Sequence, residues 1–154
     1  MMTAADDPVP ARLRAMPSWL LTHTATQASR LVAESFAAIG ARRYHYALLA
    51  ALDEFGPLSQ AALGRHCGID RSDVVAAVNE LAADGLVVRR QDPTDRRRNV
   101  ITLTSDGRAQ LGRGDEALAE TQEQLMAPLS PAERAELVRL LGRLFDHHSP
   151  QSPQ

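Results

Sequence analysis

The sequence predicts a mostly α-helical domain with a small β-hairpin. Aromatic residues make up only 4% of the 154 residues, whereas Ala and Leu are abundant, a composition that favours helices. Two short β-branched runs, residues 86–90 and 100–104, flank a turn that opens with Asp92-Pro93, which is typical of two paired strands. Two short helical segments precede this hairpin, and longer helical segments stand towards both ends.

Both ends of the chain are expected to be disordered. Residues 1–16 and 149–154 are rich in Pro, Ser or Asp. The first sixteen residues lack the apolar segment of a signal peptide, and no apolar run approaches the roughly 20 residues of a membrane helix. A single cysteine, Cys67, excludes an intrachain disulfide. Together these features predict a cytoplasmic protein with no membrane contact.

Two helices are predicted before the paired short ones. The first runs from residue 17 or 18 to about residue 39 and ends at Gly40. It carries two apolar stripes at helical spacing. The second covers residues 42–55 and stops at Gly56-Pro57.

The next segment predicts a helix-turn-helix unit. Ser59 is a favourable N-cap for a helix that ends near Cys67-Gly68, and Asp70 is a favourable N-cap for a second helix over residues 71–83. Asp84-Gly85 ends that helix, and the hairpin follows. Two short helices joined by a glycine-containing turn are typical of helix-turn-helix units, and the strand pair adds a wing.

Two more helices follow the hairpin. Ser105 is the expected N-cap of the first, and its leucines recur every seven residues, a seam for packing against another helix. Gly112 and Gly114 weaken this helix by roughly 1 kcal/mol each relative to Ala. The last helix opens with a capping box between Ser130 and Glu133.

A chain of this length has no internal partner for both its first helix and its last two. We therefore expect a homodimer, in which residues 17–41 and 105–148 form dimerisation helices. Residues 42–104 then form a winged helix-turn-helix domain that projects from each protomer.

Positive charge is concentrated in the hairpin. Residues 86–99 contain five arginines and two aspartates, a net charge of +3 in a chain whose total is −2. Three of those arginines are consecutive, Arg96 to Arg98, at the predicted tip. Guanidinium groups there would meet phosphates or a narrow minor groove of DNA. The alternative is a solvated charged loop.

The chain resembles the MarR family of bacterial winged helix-turn-helix regulators, over about residues 17–147. Residues 92–97 (DPTDRR) and 102–107 (TLTSDG) look like the family's DP-x-DRR and LT-x-x-G wing signature. Residues 58–63 (LSQAAL) resemble the start of its first helix-turn-helix helix. Residues 81–87 (LAADGLV) resemble the end of its recognition helix.

The resemblance implies an obligate dimer that binds a pseudo-palindromic double-stranded DNA operator. It implies a repressor that a small ligand, or oxidation, releases from DNA. In the family an arginine enters the minor groove, held by the aspartate two residues before it, and the matching pair here is Asp95 and Arg97. Arg96 and Arg98 would then contact phosphates.

The recognition helix departs from the family pattern. Ala76 and Glu80 stand where the family usually carries arginines. Base reading would then fall to the side chains of other helix residues, although those of the first turn are also explained by solvation. The predicted DNA-binding residues are Ser59, Gln60, Arg71, Ser72, Asp73, Asn79, Asp95, Arg96, Arg97 and Arg98.

A candidate effector site lies near the first helix. Trp19 and His23 are four residues apart on one helix face, and family ligands sit between the dimer helices and the winged unit. An indole and an imidazole could hold an aromatic or phenolic acid, joined by Arg43 and Tyr46. The alternative is dimer-core packing with a satisfied histidine.

Other functions have weaker support. Cys67 could sense oxidation, but it ends a helix, where the dipole disfavours a thiolate, so a buried structural cysteine is favoured. His147 and His148 diverge on a helix, and no metal or other cofactor is expected. Enzyme motifs are absent from the sequence, which predicts that the protein is not an enzyme. A winged helix that binds only protein is the remaining rival.

Overall fold

The computed structural model describes residues 8–149. The fold is mostly α-helical with one small antiparallel sheet, as predicted. The helices are α1 (Ala11–Arg14), α2 (Pro17–Ala38), α3 (Arg43–Phe55), α4 (Gln60–Cys67), α5 (Arg71–Ala83), α6 (Ser105–Leu125) and α7 (Pro131–His148). The strands are β1 (Leu58–Ser59), β2 (Val87–Gln91) and β3 (Asn99–Leu103). Within the described residues no helix has the length and apolarity needed to cross a bilayer.

The sheet has the strand order β1-β3-β2, and all its pairs are antiparallel. The β2–β3 hairpin aligns Val87 with Leu103 and Gln91 with Asn99. The two-residue strand β1 pairs across β3, with Leu58 opposite Ile101. Sequence reasoning missed β1, because two residues are too few to show a strand pattern. The pairing ties the start of α4 to Val100 and Ile101 of β3.

The apolar core lies in the winged unit and the start of α6. Its larger buried side chains are Leu48, Leu49, Leu52, Leu63, Val74, Val78, Leu81, Val87, Ile101 and Leu111. Burying one such side chain stabilises the fold by about 1.5–3 kcal/mol. By contrast, α2 buries only Phe36, and α7 buries no residue. The two long terminal helices therefore leave apolar surface uncovered in the protomer.

Helix caps follow the sequence prediction at two sites. The Ser59 hydroxyl accepts from the backbone N–H of Ala62 (3.2 Å). The Ser130–Glu133 capping box is complete, since each side chain accepts from the backbone N–H of the other residue. At the start of α5, Asp70 occupies the N-cap position but its side chain makes no capping hydrogen bond.

The N-cap of α6 is Thr104, and the prediction of Ser105 is wrong. The Thr104 hydroxyl accepts from the backbone N–H of Gly107 (3.0 Å) and donates to the carbonyl of Gly85 (2.7 Å). Thr104 can make both bonds because it follows β3 directly and lies beside Gly85, just after the end of α5. Ser105 already belongs to the first turn and is exposed.

The expectation of disorder over residues 1–16 is wrong for Ala11–Arg14, which form the one-turn helix α1. The carbonyl of Pro10 accepts from the backbone N–H groups of Leu13 and Arg14 (2.9 and 3.1 Å), and the fixed φ of proline suits a helix start. The expectation of disorder is also wrong for Ser149, which is the C-cap of α7. The disorder expected for residues 1–7 and 150–154 concerns residues outside those that the structure describes. Ser149 caps α7 by donating to the carbonyl of Phe145 (2.8 Å).

Two glycines of α6 are required by close packing. A Cβ at Gly107 would lie 2.0 Å from the carbonyl oxygen of Leu86, and a Cβ at Gly114 would lie 2.6 Å from the ring of Tyr46. A Cβ at Gly112 would meet nothing within 4 Å. Both Gly112 and Gly114 are expected to weaken the helix, but packing against Tyr46 requires the glycine at position 114.

We expect Gly107→Ala to lower the free energy of unfolding by about 1–3 kcal/mol or more. The added methyl overlaps the carbonyl of Leu86, which cannot move without breaking its hydrogen bond from the backbone N–H of Thr104. Urea unfolding at fixed protein concentration measures the change. Gly112→Ala is the matched control, and it should raise stability by up to about 1 kcal/mol. Equal effects of the two substitutions would contradict the close approach of Gly107 to Leu86.

Candidate nucleic-acid interface

Helix α5 has one buried and one exposed side. The buried side chains are Val74, Ala77, Val78 and Leu81. The opposite side, spaced at helical intervals, consists of Ser72, Val75, Ala76 and Asn79, all exposed. In the first turn, Arg71 and Asp73 are also exposed. The exposed side of α5 is therefore free in the protomer to meet another molecule.

The hairpin tip is held by side chain to backbone hydrogen bonds. The backbone N–H of Asp92 donates to the carbonyl of Arg98 (2.9 Å) and closes the loop. The Asp92 carboxylate accepts from the backbone N–H and the hydroxyl of Thr94 (2.9 and 2.7 Å). These bonds, with the nearby Arg98, hold the pKa of Asp92 below its usual range. The aspartate is therefore ionised when it fixes the turn.

Asp95 fixes the backbone beneath the arginines. Its carboxylate accepts from the backbone N–H of Arg97 (3.0 Å), and its carbonyl accepts from the backbone N–H of Arg98 (3.0 Å). The link between Asp95 and Arg97 thus runs through the main chain, and no ion pair joins their side chains in the described part of the chain. The guanidinium group of Arg97 is left exposed.

A cleft of about 620 Å³ lies between the helix-turn-helix helices and the tip end of the hairpin. It brings together four of the predicted DNA-binding residues, Ser59, Gln60, Arg71 and Arg98. Arg65 also lines it, although sequence reasoning did not assign it to DNA binding. The available signal was its place on α4, the short helix that begins at the predicted residue Gln60.

The guanidinium groups of this cleft are not engaged by carboxylates that line it, although Arg98 lies near Asp92 of the hairpin tip. No acidic residue lines the cleft. Among residues 8–149, Arg65, Arg71, Arg96, Arg97 and Arg98 form no ion pair. An acidic partner can therefore approach these charges without displacing a protein carboxylate.

Two polar residues in the second half of α5 are engaged within the protein. The Asn79 side-chain oxygen accepts a hydrogen bond from Arg89 of β2. Glu80, at a position where family members usually carry an arginine, bonds His45 Nε2 (2.7 Å) and Arg42 (3.3 Å) of the α3 start. Glu80 therefore turns away from the exposed side of α5 and links α5 to α3.

The predicted effector residues fall into two separate places. Trp19 and His23 stack with ring centroids 3.9 Å apart, and His23 Nδ1 donates to the Trp19 carbonyl (2.8 Å). Seventeen residues of helix separate Trp19 from Phe36, about 25 Å at 1.5 Å per residue. Tyr46 lies beside Phe36, with ring centroids 5.3 Å apart. One protomer therefore does not bring the four residues together.

Tyr46 and Arg43 have different surroundings. The Tyr46 hydroxyl donates to Asp115 (2.7 Å), and burial together with that carboxylate raises the pKa of Tyr46 to about 12. Arg43 lines a second cleft, of about 640 Å³, between α2 and the start of α3, which Arg42, Val32 and Phe36 also line. Arg43 can therefore meet a ligand in that cleft, whereas Tyr46 is held against α6.

The structure gives Cys67 a half-buried position. Its thiol donates to the carbonyl of Ala47 (3.4 Å), and burial raises the pKa of the thiol. Both features oppose a reactive thiolate. In the part of the chain that the structure covers, no cluster of three His, Cys, Asp or Glu side chains could hold a metal ion.

Comparison with known proteins identifies the family. Residues 41–98 match the sequence profile of the MarR family. The crystal structure of a probable transcriptional regulator from Pseudomonas aeruginosa superposes with a TM-score of 0.77 at 34% identity, covering 86% of this chain and 99% of that one. The chain belongs to the MarR family. The resemblance drawn from the wing and helix motifs is thus confirmed.

Two further relatives of this MarR-family chain bear on function. A candidate transcriptional regulatory protein for the hcr operon of Thauera aromatica is 39% identical over 104 residues, which are 68% of this chain and 63% of that relative's length. BpsR of Bordetella bronchiseptica, whose DNA binding is regulated by 6-hydroxynicotinic acid, is 25% identical with a TM-score of 0.79. That match covers 91% of this chain and 99% of BpsR.

We expect the Cys67 thiol of the folded protein to react slowly with iodoacetamide. Its raised pKa leaves less thiolate at any given pH, so the alkylation rate should rise only at a higher pH than in the unfolded chain. Mass spectrometry across pH 6–10 measures the rate. The same chain in guanidinium chloride is the control, because it contains the same single cysteine. Equal rates in the two states would support an accessible sensor thiol.

Proposed function

We propose that this MarR-family protein is a dimeric DNA-binding transcriptional repressor that a small anionic aromatic ligand releases from its operator. The observation that carries the proposal is the arrangement of unpaired arginines. Arg65, Arg71 and Arg98 line one cleft beside α5, and Arg96 and Arg97 stand exposed at the adjacent hairpin tip. This concentration of charge, in a chain of net charge −2, suits the phosphates of DNA.

In the proposed complex, the exposed side of α5 enters the major groove and the hairpin reaches the flanking minor groove. Arg97 would enter the minor groove, because Asp95 holds its backbone and leaves its guanidinium group free. Arg96 and Arg98 would contact phosphates. Two-fold symmetry would place half-sites about one helical turn apart, roughly 10 base pairs.

Dimerisation is supported by the apolar surface of the terminal helices. On α7, Val138 is 62% exposed and Phe145 is 73% exposed, and Leu140, Leu141 and Leu144 are exposed as well. On α2, Leu20 and Leu21 are exposed as well. A soluble monomer rarely leaves so large an apolar surface in water. A second copy of the chain would cover it through α2, α6 and α7.

The effector would bind in the second cleft, between α2 and α3. Arg42 and Arg43 can bind a carboxylate there, while Val32 and Phe36 can pack against an aromatic ring. The aromatic acid that regulates BpsR supports this ligand class. Arg42 also bonds Glu80 of α5, so a carboxylate that draws Arg42 away would loosen the link between α3 and α5. That step would lower affinity for DNA.

DNA binding is tested by gel retardation and footprinting on the region upstream of the protein's own gene, with and without a panel of aromatic carboxylic acids. We expect Arg97→Ala to weaken operator binding by about tenfold or more, since a groove contact by arginine contributes about 1–3 kcal/mol.

For Arg98→Ala, the slope of log binding constant against log salt concentration should become shallower by about 1 for each phosphate contact removed. Arg139→Ala removes the same charge from the polar side of α7 and should leave affinity unchanged.

Three results would contradict this proposal. If the protein retards no DNA at low salt, the winged unit serves another purpose, and a surface that binds protein becomes the better interpretation. Unchanged affinity of Arg97→Ala would exclude the hairpin from the interface. Equal weakening by Arg139→Ala would indicate a general charge effect rather than a contact.

Phe145→Glu should dissociate the proposed dimer, because it places a charge in the apolar surface of α7. Sedimentation equilibrium at micromolar concentration should show a dimer for the parent protein and a monomer for this variant. Arg139→Ala, on the opposite side of α7, should remain dimeric. A monomeric parent protein would overturn the proposal of a dimer.

A further inference from the structure

The exposed side of α5 carries no charge along its centre. Ser72, Val75, Ala76 and Asn79 occupy it at spacings of three and four residues, and all four are exposed. The buried residues of α5 lie on the opposite side. The surface that would face DNA bases is therefore built from small uncharged side chains.

The polar groups near the second half of this surface are already engaged. The Asn79 oxygen accepts from Arg89, and this bond occupies one of the two lone pairs of the oxygen that a bidentate pair with adenine would use. Glu80 is held by His45 at 2.7 Å and by Arg42 at 3.3 Å. Val75 and Ala76, in the middle of the exposed side, have apolar side chains and form no such hydrogen bond.

The apolar core does not require a valine at position 75. The residue is 36% exposed and is not among the core residues or the residues packed against them. A β-branched residue favours a helix less than alanine does. Valine here therefore lowers helix propensity without filling the core, and the exposed part of its side chain can serve an intermolecular contact.

We propose that Val75, with Ala76 beside it, contacts the C5-methyl group of thymine in the major groove and so determines which operators the protein selects. The inference rests on the proposed DNA-binding function. Thymine alone among the DNA bases presents a methyl group in the major groove, and apolar side chains recognise it by contact. A side chain with two methyl groups on an uncharged helix surface has the matching chemistry.

The experiment replaces thymine by deoxyuridine, which removes that methyl group and leaves the pairing edge unchanged. The probe is a DNA duplex that the parent protein enriches from a random pool. Each thymine of the two half-sites is replaced in turn, symmetrically, and affinity is measured by fluorescence anisotropy. At one or two positions we expect the parent to lose about fourfold in affinity per methyl removed.

The Val75→Ala variant should bind the unsubstituted duplex more weakly and should not distinguish thymine from deoxyuridine at those positions. It should keep its fold, because alanine favours a helix more than valine does. Val9→Ala is the matched control, since Val9 is also 36% exposed and lies outside α5. That variant should discriminate between the two bases as the parent does.

The outcomes separate this inference from the function on which it rests. A parent protein that is insensitive to deoxyuridine at every position, or a Val75→Ala variant as sensitive as the parent, overturns the thymine contact while DNA binding stands. Half-sites that contain no thymine overturn it as well. A random pool from which no duplex is enriched overturns the proposed function, and the thymine contact with it.

Discussion

Thr104 holds together the three elements on which the proposed DNA-facing surface depends. Its backbone N–H donates to the carbonyl of Leu86 (3.2 Å), and its hydroxyl bridges Gly85 at the end of α5 and Gly107 in α6. Gly107 lies against the Leu86 carbonyl, where a side chain would not fit. The end of the recognition helix, the base of the hairpin and the first turn of α6 thus share one junction. A rotation of α6 would move the hairpin and α5 together.

Two further contacts complete a closed circuit of helices. Tyr46 of α3 packs on Gly114 of α6 and donates to Asp115. Glu80 joins α5 to the start of α3 through Arg42 and His45. Every helix of the circuit is therefore fixed to two others by short polar contacts or by close packing. Such an arrangement passes a small displacement to the next element instead of absorbing it, because packed interfaces have few alternative arrangements.

Local features of the fold could be predicted from the sequence, whereas contacts between distant residues could not. The bounds of α5 and the capping box of α7 follow from residue types within one or two turns. From the sequence alone, Gly114 is expected only to weaken its helix, because the Tyr46 ring that requires a glycine there is 68 residues away in the chain. Likewise, the sequence indicates only that Glu80 replaces an arginine expected to contact DNA. The structure shows that Glu80 bonds Arg42 and His45 at the start of α3. Trp19 and His23 share a helix face in sequence, and the structure places them apart from Arg43 and Tyr46.

The exposed apolar surface of α7 links the proposed DNA binding to the concentration of the protein. The protomer buries no residue of α7. In the proposed dimer, the concentration of the DNA-binding species follows the square of the free protomer concentration wherever the two are in equilibrium. Halving the total protomer concentration would then lower the dimer concentration by more than half. Gene expression would therefore depend on the protomer concentration as well as on the ligand.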